Sequence, residues 1–262
     1  MNRIEKTFKS LNRAALVTFI TAGDPDYDTS LNVLKSLPEA GADIIELGMP
    51  FTDPVADGPT IQAAGLRALE GGANMKRTLQ MVREFRESNR DTPIVLMGYY
   101  NPVMAYGVEK FVTDAGEAGI DGLIVVDLPP EESEELQSLL KNTSIDLIRL
   151  VTPTTKGDRL QKILQGAGGF LYYVSITGIT GAAKADLCAI EPHIAEIKSK
   201  TDLPVAIGFG IKTPEDVSNF AKLGDAVVVG SAIVNTIAND IQNADPAPVV
   251  KQVAALAGGL KS

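Results

Sequence analysis

Eight short, nearly continuous apolar runs, each followed by a stretch with helical spacing, leave few folds open to this chain. The runs are 15–20 (ALVTFI), 43–47 (DIIEL), 93–98 (PIVLMG), 121–126 (DGLIVV), 146–151 (DLIRLV), 169–174 (GFLYYV), 203–208 (LPVAIG) and 225–229 (DAVVV). Runs apolar on both faces, rather than alternating, are the mark of parallel strands covered by helices. Helical periodicity lies between them: Leu31, Leu34, Leu37; Leu79, Val82, Phe85; Leu187, Ile190, Ile194, Ile197; Val217, Phe220, Ala221. Thr213-Pro214-Glu215-Asp216 reads as a helix start, with a capping hydroxyl, proline in the first turn and acids facing the macrodipole. Such alternation permits a closed barrel or a doubly wound open sheet. Eight strands, and no GxGxxG turn after the first, favour a single-domain α/β protein of the (β/α)8 TIM-barrel class. The gap between Ile44 and Ile94 is the longest. The expectation is one domain over 1–262, with extra helices in the 50–92 insertion.

Composition fits that reading. The 262 residues match the usual size of one such barrel, about 250 residues, and can bury roughly three quarters of the unfolded surface. A net charge of −9 argues against nucleic acid or an anionic membrane as partner. Cys188 is the only cysteine, so no intrachain disulfide can form. No stretch reaches the roughly 20 apolar residues of a membrane span, and the opening MNRIEKTFKSLNR lacks an apolar run. A soluble, unexported, cytoplasmic protein is expected.

In such barrels the active site lies at the C-terminal ends of the strands. Gly208-Phe209-Gly210 and Gly230-Ser231 follow the last two runs, where barrel enzymes often bind phosphate through backbone N–H groups at a helix N-terminus. Ile233, Val234 and Ile237 place such a helix from about Ser231. Ordinary turn glycines are the plainer alternative. Glu46, inside DIIELG, points a carboxyl into an apolar barrel mouth, where desolvation raises its pKa toward neutrality; a structural salt bridge is the alternative. Asp57, in a Pro/Gly-stiffened loop, is a second carboxylate for the same mouth, or a turn former. The sole histidine, His193, falls in a helical pattern and reads as a solvated surface residue, so a His-based zinc site or a Ser–His–Asp triad is not expected. No strand end bears lysine, which argues against a Schiff base. Carboxylate acid–base chemistry on a phosphorylated substrate, with no metal and no evident cofactor, remains.

Residues 46–62 (ELGMPFTDPVADGPTIQ) closely resemble the signature of the tryptophan synthase α-subunit family. Seven further blocks agree in order: 19–25 (FITAGDP), 97–102 (MGYYNP), 126–129 (VDLP), 172–175 (YYVS), 178–181 (GITG), 208–211 (GFGI) and 230–231 (GS). The resemblance implies a lyase that cleaves indole-3-glycerol phosphate to indole and glyceraldehyde 3-phosphate. It implies that Glu46 protonates the indole carbon bearing the side chain and handles the hydroxyl proton, while Asp57 faces the indole N–H. By the same resemblance Tyr172 lies beside them, Phe209 and Met97 wall the indole, and Gly181, Gly210, Gly230 and Ser231 cradle the phosphate. Residues 175–187 are similar to the family's mobile lid, whose closure would bring Thr180 to Asp57. Ile176 stands where better-studied members carry arginine, so no contact of that arginine carries over; Thr52 replaces the more usual serine.

The resemblance further implies an α2β2 complex in which a β subunit holds pyridoxal phosphate and receives indole, with none bound to this chain. Asp53, Pro54 and a 99–106 loop are its expected contact regions. Two other readings remain at this point: a different cofactor-free phosphate-binding barrel enzyme, and a non-catalytic activator of a β subunit.

Overall fold

The computed structural model describes residues 1–174, 187–208 and 210–261. Nine strands among them form one parallel sheet: β1 (Ala15–Thr21), β2 (Ile44–Gly48), β3 (Ile94–Gly98), β4 (Gly122–Val125), β5 (Asp146–Leu147), β6 (Arg149–Val151), β7 (Leu171–Val174), β8 (Val205–Gly208) and β9 (Ala226–Val229). Their spatial order is β5-β4-β3-β2-β1-β9-β8-β7-β6. The sheet's two end strands are thus neighbours in sequence, joined by Ile148 alone, whose N–H also bonds the Leu123 carbonyl at 2.9 Å. The fifth expected strand is therefore two short ladders, the first paired with β4 and the second with β7. That junction closes a (β/α)8 TIM barrel.

Alternation along the strands sorts the side chains into two cores. Val17, Ile44, Val95, Ile124, Ile148, Phe170, Tyr172, Ala206 and Val228 fill the barrel interior. Leu16, Ile20, Ile45, Leu47, Leu96 and Val227 pack outward against the helices. An element the periodicity did not reveal, α1 (Arg3–Ser10), closes the barrel floor. Its fully buried Ile4 joins the interior cluster, with Phe8 and Leu11 packed against it, and Arg3 bonds Asp121 at 2.8 Å.

Around the barrel run α2 (Tyr27–Ala40), α3 (Pro59–Glu70), α4 (Met75–Ser88), α5 (Tyr100–Tyr106), α6 (Val108–Ala118), α7 (Glu134–Leu140), α8 (Gly157–Leu164), α9 (Leu187–Lys198), α10 (Pro214–Phe220), α11 (Ser231–Asn239) and α12 (Ala247–Gly258). Two helices, α3 and α4, occupy the 50–92 insertion. The helix start at Thr213 is a full capping box, with Thr213 and Asp216 bonded reciprocally. Two expectations change. The segment 99–106 is not a loop: all but Tyr99 form α5, with Tyr99 as its N-cap. His193 is half-buried rather than solvated, and its Nδ1 lies 3.4 Å from the Tyr173 hydroxyl.

Candidate active site

A cleft opens at the C-terminal mouth of the barrel. Strand ends build its wall: Phe19 and Thr21 from β1, Gly48 from β2, Met97 and Gly98 from β3. The loop after β2 adds Asp57, and α3 adds Ile61 and Gly65. Met97 packs against both the barrel interior and the Phe19–Ala64–Val234 cluster, so one side chain joins the inner barrel to the cavity wall. Missing side chains shape the site as much as present ones. A Cβ on Gly48 would fall 2.6 Å from the Phe19 ring, and one on Gly208 would fall 2.2 Å from the Tyr172 hydroxyl. Both glycines leave the aromatic neighbour room to lie across the strand.

Glu46 is buried beside the cavity and does not line it. It follows Ile44 by two residues and so points into the barrel. Its register partner Phe19 and the next inward residue Gly48 both line the cavity. Glu46 is fully buried, and among the described residues neither carboxyl oxygen has a hydrogen-bond partner. Among the described residues Glu46 makes no salt bridge. Burial alone pushes its pKa up to about 8, the direction desolvation of a carboxylate demands. Tyr172, buried on β7, lies within its influence: burial raises the phenol well above its usual pKa, and the Glu46 charge adds to that.

Asp57 serves both of its alternative readings. Its N–H closes a turn onto the Pro54 carbonyl at 3.0 Å, while its carboxyl lines the cavity. Burial pushes its pKa up to about 6, and a hydrogen bond from the Tyr99 hydroxyl pulls the other way. The same hydroxyl accepts the Ala56 N–H at 2.9 Å, so Tyr99 holds both the loop backbone and its acid. Tyr99 is buried and stacked at 5.3 Å against Phe51. Burial thus raises both acids and raises Glu46 further, so Glu46 holds its proton to higher pH than Asp57.

Across the mouth, Gly230 caps α11 without a side-chain bond, and Ser231 opens that helix. A Cβ on Gly230 would touch Phe19 at 3.4 Å, which places this helix end beside the cavity wall. Gly210, after β8, adopts a left-handed φ of 84°. Of the expected site residues, Asp57 and Met97 line the cavity, Gly230 borders its wall at Phe19, and Glu46 and Tyr172 are buried beside each other without lining it. Thr180, Gly181 and Phe209, and the 175–186 part of the expected lid with Ile176, lie outside the described residues.

Residue reading missed Tyr99, Thr21, Ile61 and Gly65. Tyr99 stood in a quoted block, at the end of the third run, where a strand-end phenol facing an acid-bearing loop was a usable signal. Thr21 lines the cavity with its buried hydroxyl unpartnered among the described residues. Nothing in the sequence marked Gly65 from other helical glycines. The described residues hold no group of three or more His, Cys, Asp or Glu placed for a metal ion, and no helix long and apolar enough to cross a membrane.

Comparisons with known proteins bear on the family and the fold. The model of the family described as tryptophan synthase alpha chain matches residues 6–262. Tryptophan synthase subunit alpha from Legionella pneumophila str. Paris is 38% identical with a TM-score of 0.92, over 100% of this chain and 99% of that one. The tryptophan synthase alpha chain from Legionella pneumophila subsp. pneumophila is 36% identical with a TM-score of 0.90, over 100% and 98%. A chain of tryptophan synthase from M. tuberculosis in its aminoacrylate-bound form is 32% identical with a TM-score of 0.89, over 99% and 100%. The chain belongs to the tryptophan synthase alpha chain family, the lyases that cleave indole-3-glycerol phosphate.

Proposed function

We propose that the mouth of this barrel performs the family's cleavage with Glu46 as the acid and base and Asp57 as a fixed anion. One observation carries the reading: a fully buried glutamate with no hydrogen-bond partner among the described residues, in register with Phe19 and two residues before Gly48, both of which line the cavity. Such a group is costly unless it is kept neutral for use.

The bond to be broken joins indole C3 to the hydroxyl-bearing first carbon of the glycerol chain. Indole is a poor leaving group until C3 is protonated. Glu46, protonated near neutrality, delivers its proton to C3 and becomes a carboxylate. Positive charge then develops on the ring nitrogen, where the Asp57 carboxylate stabilises it. The Glu46 carboxylate next takes the proton of the adjacent hydroxyl. Its electron pair forms the aldehyde, the C3–C1 bond breaks, and indole regains its aromatic ring. One proton leaves Glu46 and one returns, so the cycle needs no outside acid. Tyr172, buried within electrostatic reach of Glu46, stands beside the reacting acid, while Met97 and Phe209 flank the ring. The phosphate is held by main-chain N–H groups at Gly181, Gly210, Gly230 and Ser231, which suits an anion in an acidic protein. Thr180 contacts Asp57 on closure.

The chain 1–262 works as one domain in the cytoplasm and binds no cofactor itself. Its partner is a β subunit carrying pyridoxal phosphate, in an α2β2 complex that receives the indole. Exposed Val55, beside Asp53 and Pro54, and exposed Met104 on α5 offer apolar contacts in the two regions expected for that partner. The test is indole release from indole-3-glycerol phosphate, with and without a β subunit. Glu46→Gln is expected to lose turnover while still binding substrate; near-normal turnover would remove the proton-transfer role. Asp57→Asn is expected to lower the rate with little change in phosphate affinity, whereas a selective loss of binding would make Asp57 an anchor instead.

A further inference from the structure

One cavity residue has no part in that chemistry. Gly65 lies inside the helix Pro59–Glu70, where glycine weakens a helix relative to alanine. The usual reasons for such a glycine are missing. It is buried, it is not among the glycines with positive φ, and a Cβ there would meet no heavy atom within 4 Å. Gly48, Gly98 and Gly208 differ, since each has a neighbouring side chain within 3 Å of the position its Cβ would take. What Gly65 does border is the cavity, together with Ile61 one turn earlier on the same helix face. Ile61 and Met97 pack against Phe19, so the surroundings of this vacant space are apolar.

We propose that Gly65 is a specificity-determining residue: the room left by its missing side chain is an apolar alcove of the indole pocket that admits a small substituent on the benzo ring. The inference rests on the cavity being the indole pocket. It implies that this enzyme handles ring-substituted indoles alongside indole itself.

The test runs the reaction in the condensing direction, with glyceraldehyde 3-phosphate and indole or each of the four benzo-ring methylindoles. The wild type is expected to use at least one methylindole with a kcat/KM within about threefold of indole. Filling the alcove with Gly65→Val should then lower kcat/KM for that methylindole by about 10-fold or more beyond any loss with indole, the range one methyl group commands in an apolar pocket. Gly65→Ala should give an intermediate ratio without a lower Tm, which separates specificity from folding. Equal ratios in wild type and both variants, or rejection of every methylindole by the wild type, would overturn the alcove and leave the catalytic reading standing. No condensation of indole by the wild type would overturn the catalytic reading, and the alcove with it.

Discussion

A carboxyl group held inside a barrel with no partner changes the stability of the protein as well as its chemistry. Unfolded, Glu46 titrates near its ordinary value of 4.5; folded, it keeps its proton to about 8. Between those values the folded state binds more protons than the unfolded one, so stability falls as pH rises. Relative to Glu46→Gln, the wild type should lose about 1.4 kcal/mol per pH unit across that window. Denaturant unfolding of both proteins at pH 5 and pH 7.5 checks this; parallel behaviour would mean Glu46 has a partner in solution. Tyr99 acts on the other acid. Without its hydroxyl, Tyr99→Phe removes a hydrogen bond that favours ionised Asp57 and leaves the Ala56 N–H without its acceptor. The acid limb of the rate profile should move up by up to about one pH unit, with the alkaline limb unchanged.

At the scale of elements, α3 is the piece that makes the cavity. Arg67 on α3 forms a bidentate bond to Asp24, at 2.7 and 2.9 Å, tying the helix to the loop after β1. Asp24 has no exposure, and its burial raises the carboxyl against the guanidinium's pull. Removing the cation in Arg67→Leu strands a buried acid, at a cost of about 3 kcal/mol or more. A lower Tm together with a raised KM is expected, because the helix carrying Ile61 and Gly65 loses its tether; a changed Tm with an unchanged KM would show that α3 holds its place without it. Element order was legible because parallel strands covered on both sides must be apolar throughout, which DIIEL and DAVVV display. The floor helix α1 was not, since it offers the interior only Ile4, Phe8 and Leu11 within a charged stretch. Helix α5 was hidden by Asn101-Pro102, which read as a loop, although proline is well tolerated in a first helical turn.

For the whole molecule, closure brings together residues far apart in sequence. Phe19, Glu46, Met97 and Gly230 come from or follow the adjacent strands β1, β2, β3 and β9, and Tyr172 on β7 reaches the same barrel interior through β8. Glu46 and Asp57 could be named in advance, since a lone acid in an apolar strand and an acid in a stiff loop each break a local pattern. Tyr99 offered only its place at a strand end, and Gly65 offered nothing, because its significance lies in neighbours contributed by other segments. The family match decides among the readings the residues alone left open, in favour of the lyase. Exposed Met104, 60% accessible on α5, belongs to the surface proposed for the β subunit. Met104→Glu should weaken that association by about tenfold or more and leave the solitary chain's indole release intact, as a titration with a β subunit would show.

The division of labour between the two acids is tested most directly by kcat/KM for indole release as a function of pH. A bell is expected, with an acid limb near 6 as Asp57 ionises and an alkaline limb near 8 as Glu46 loses its proton. A rate that stays level or climbs above pH 9 would contradict the account, because the protonated fraction of Glu46 that delivers a proton to the indole carbon should fall about tenfold with each pH unit there.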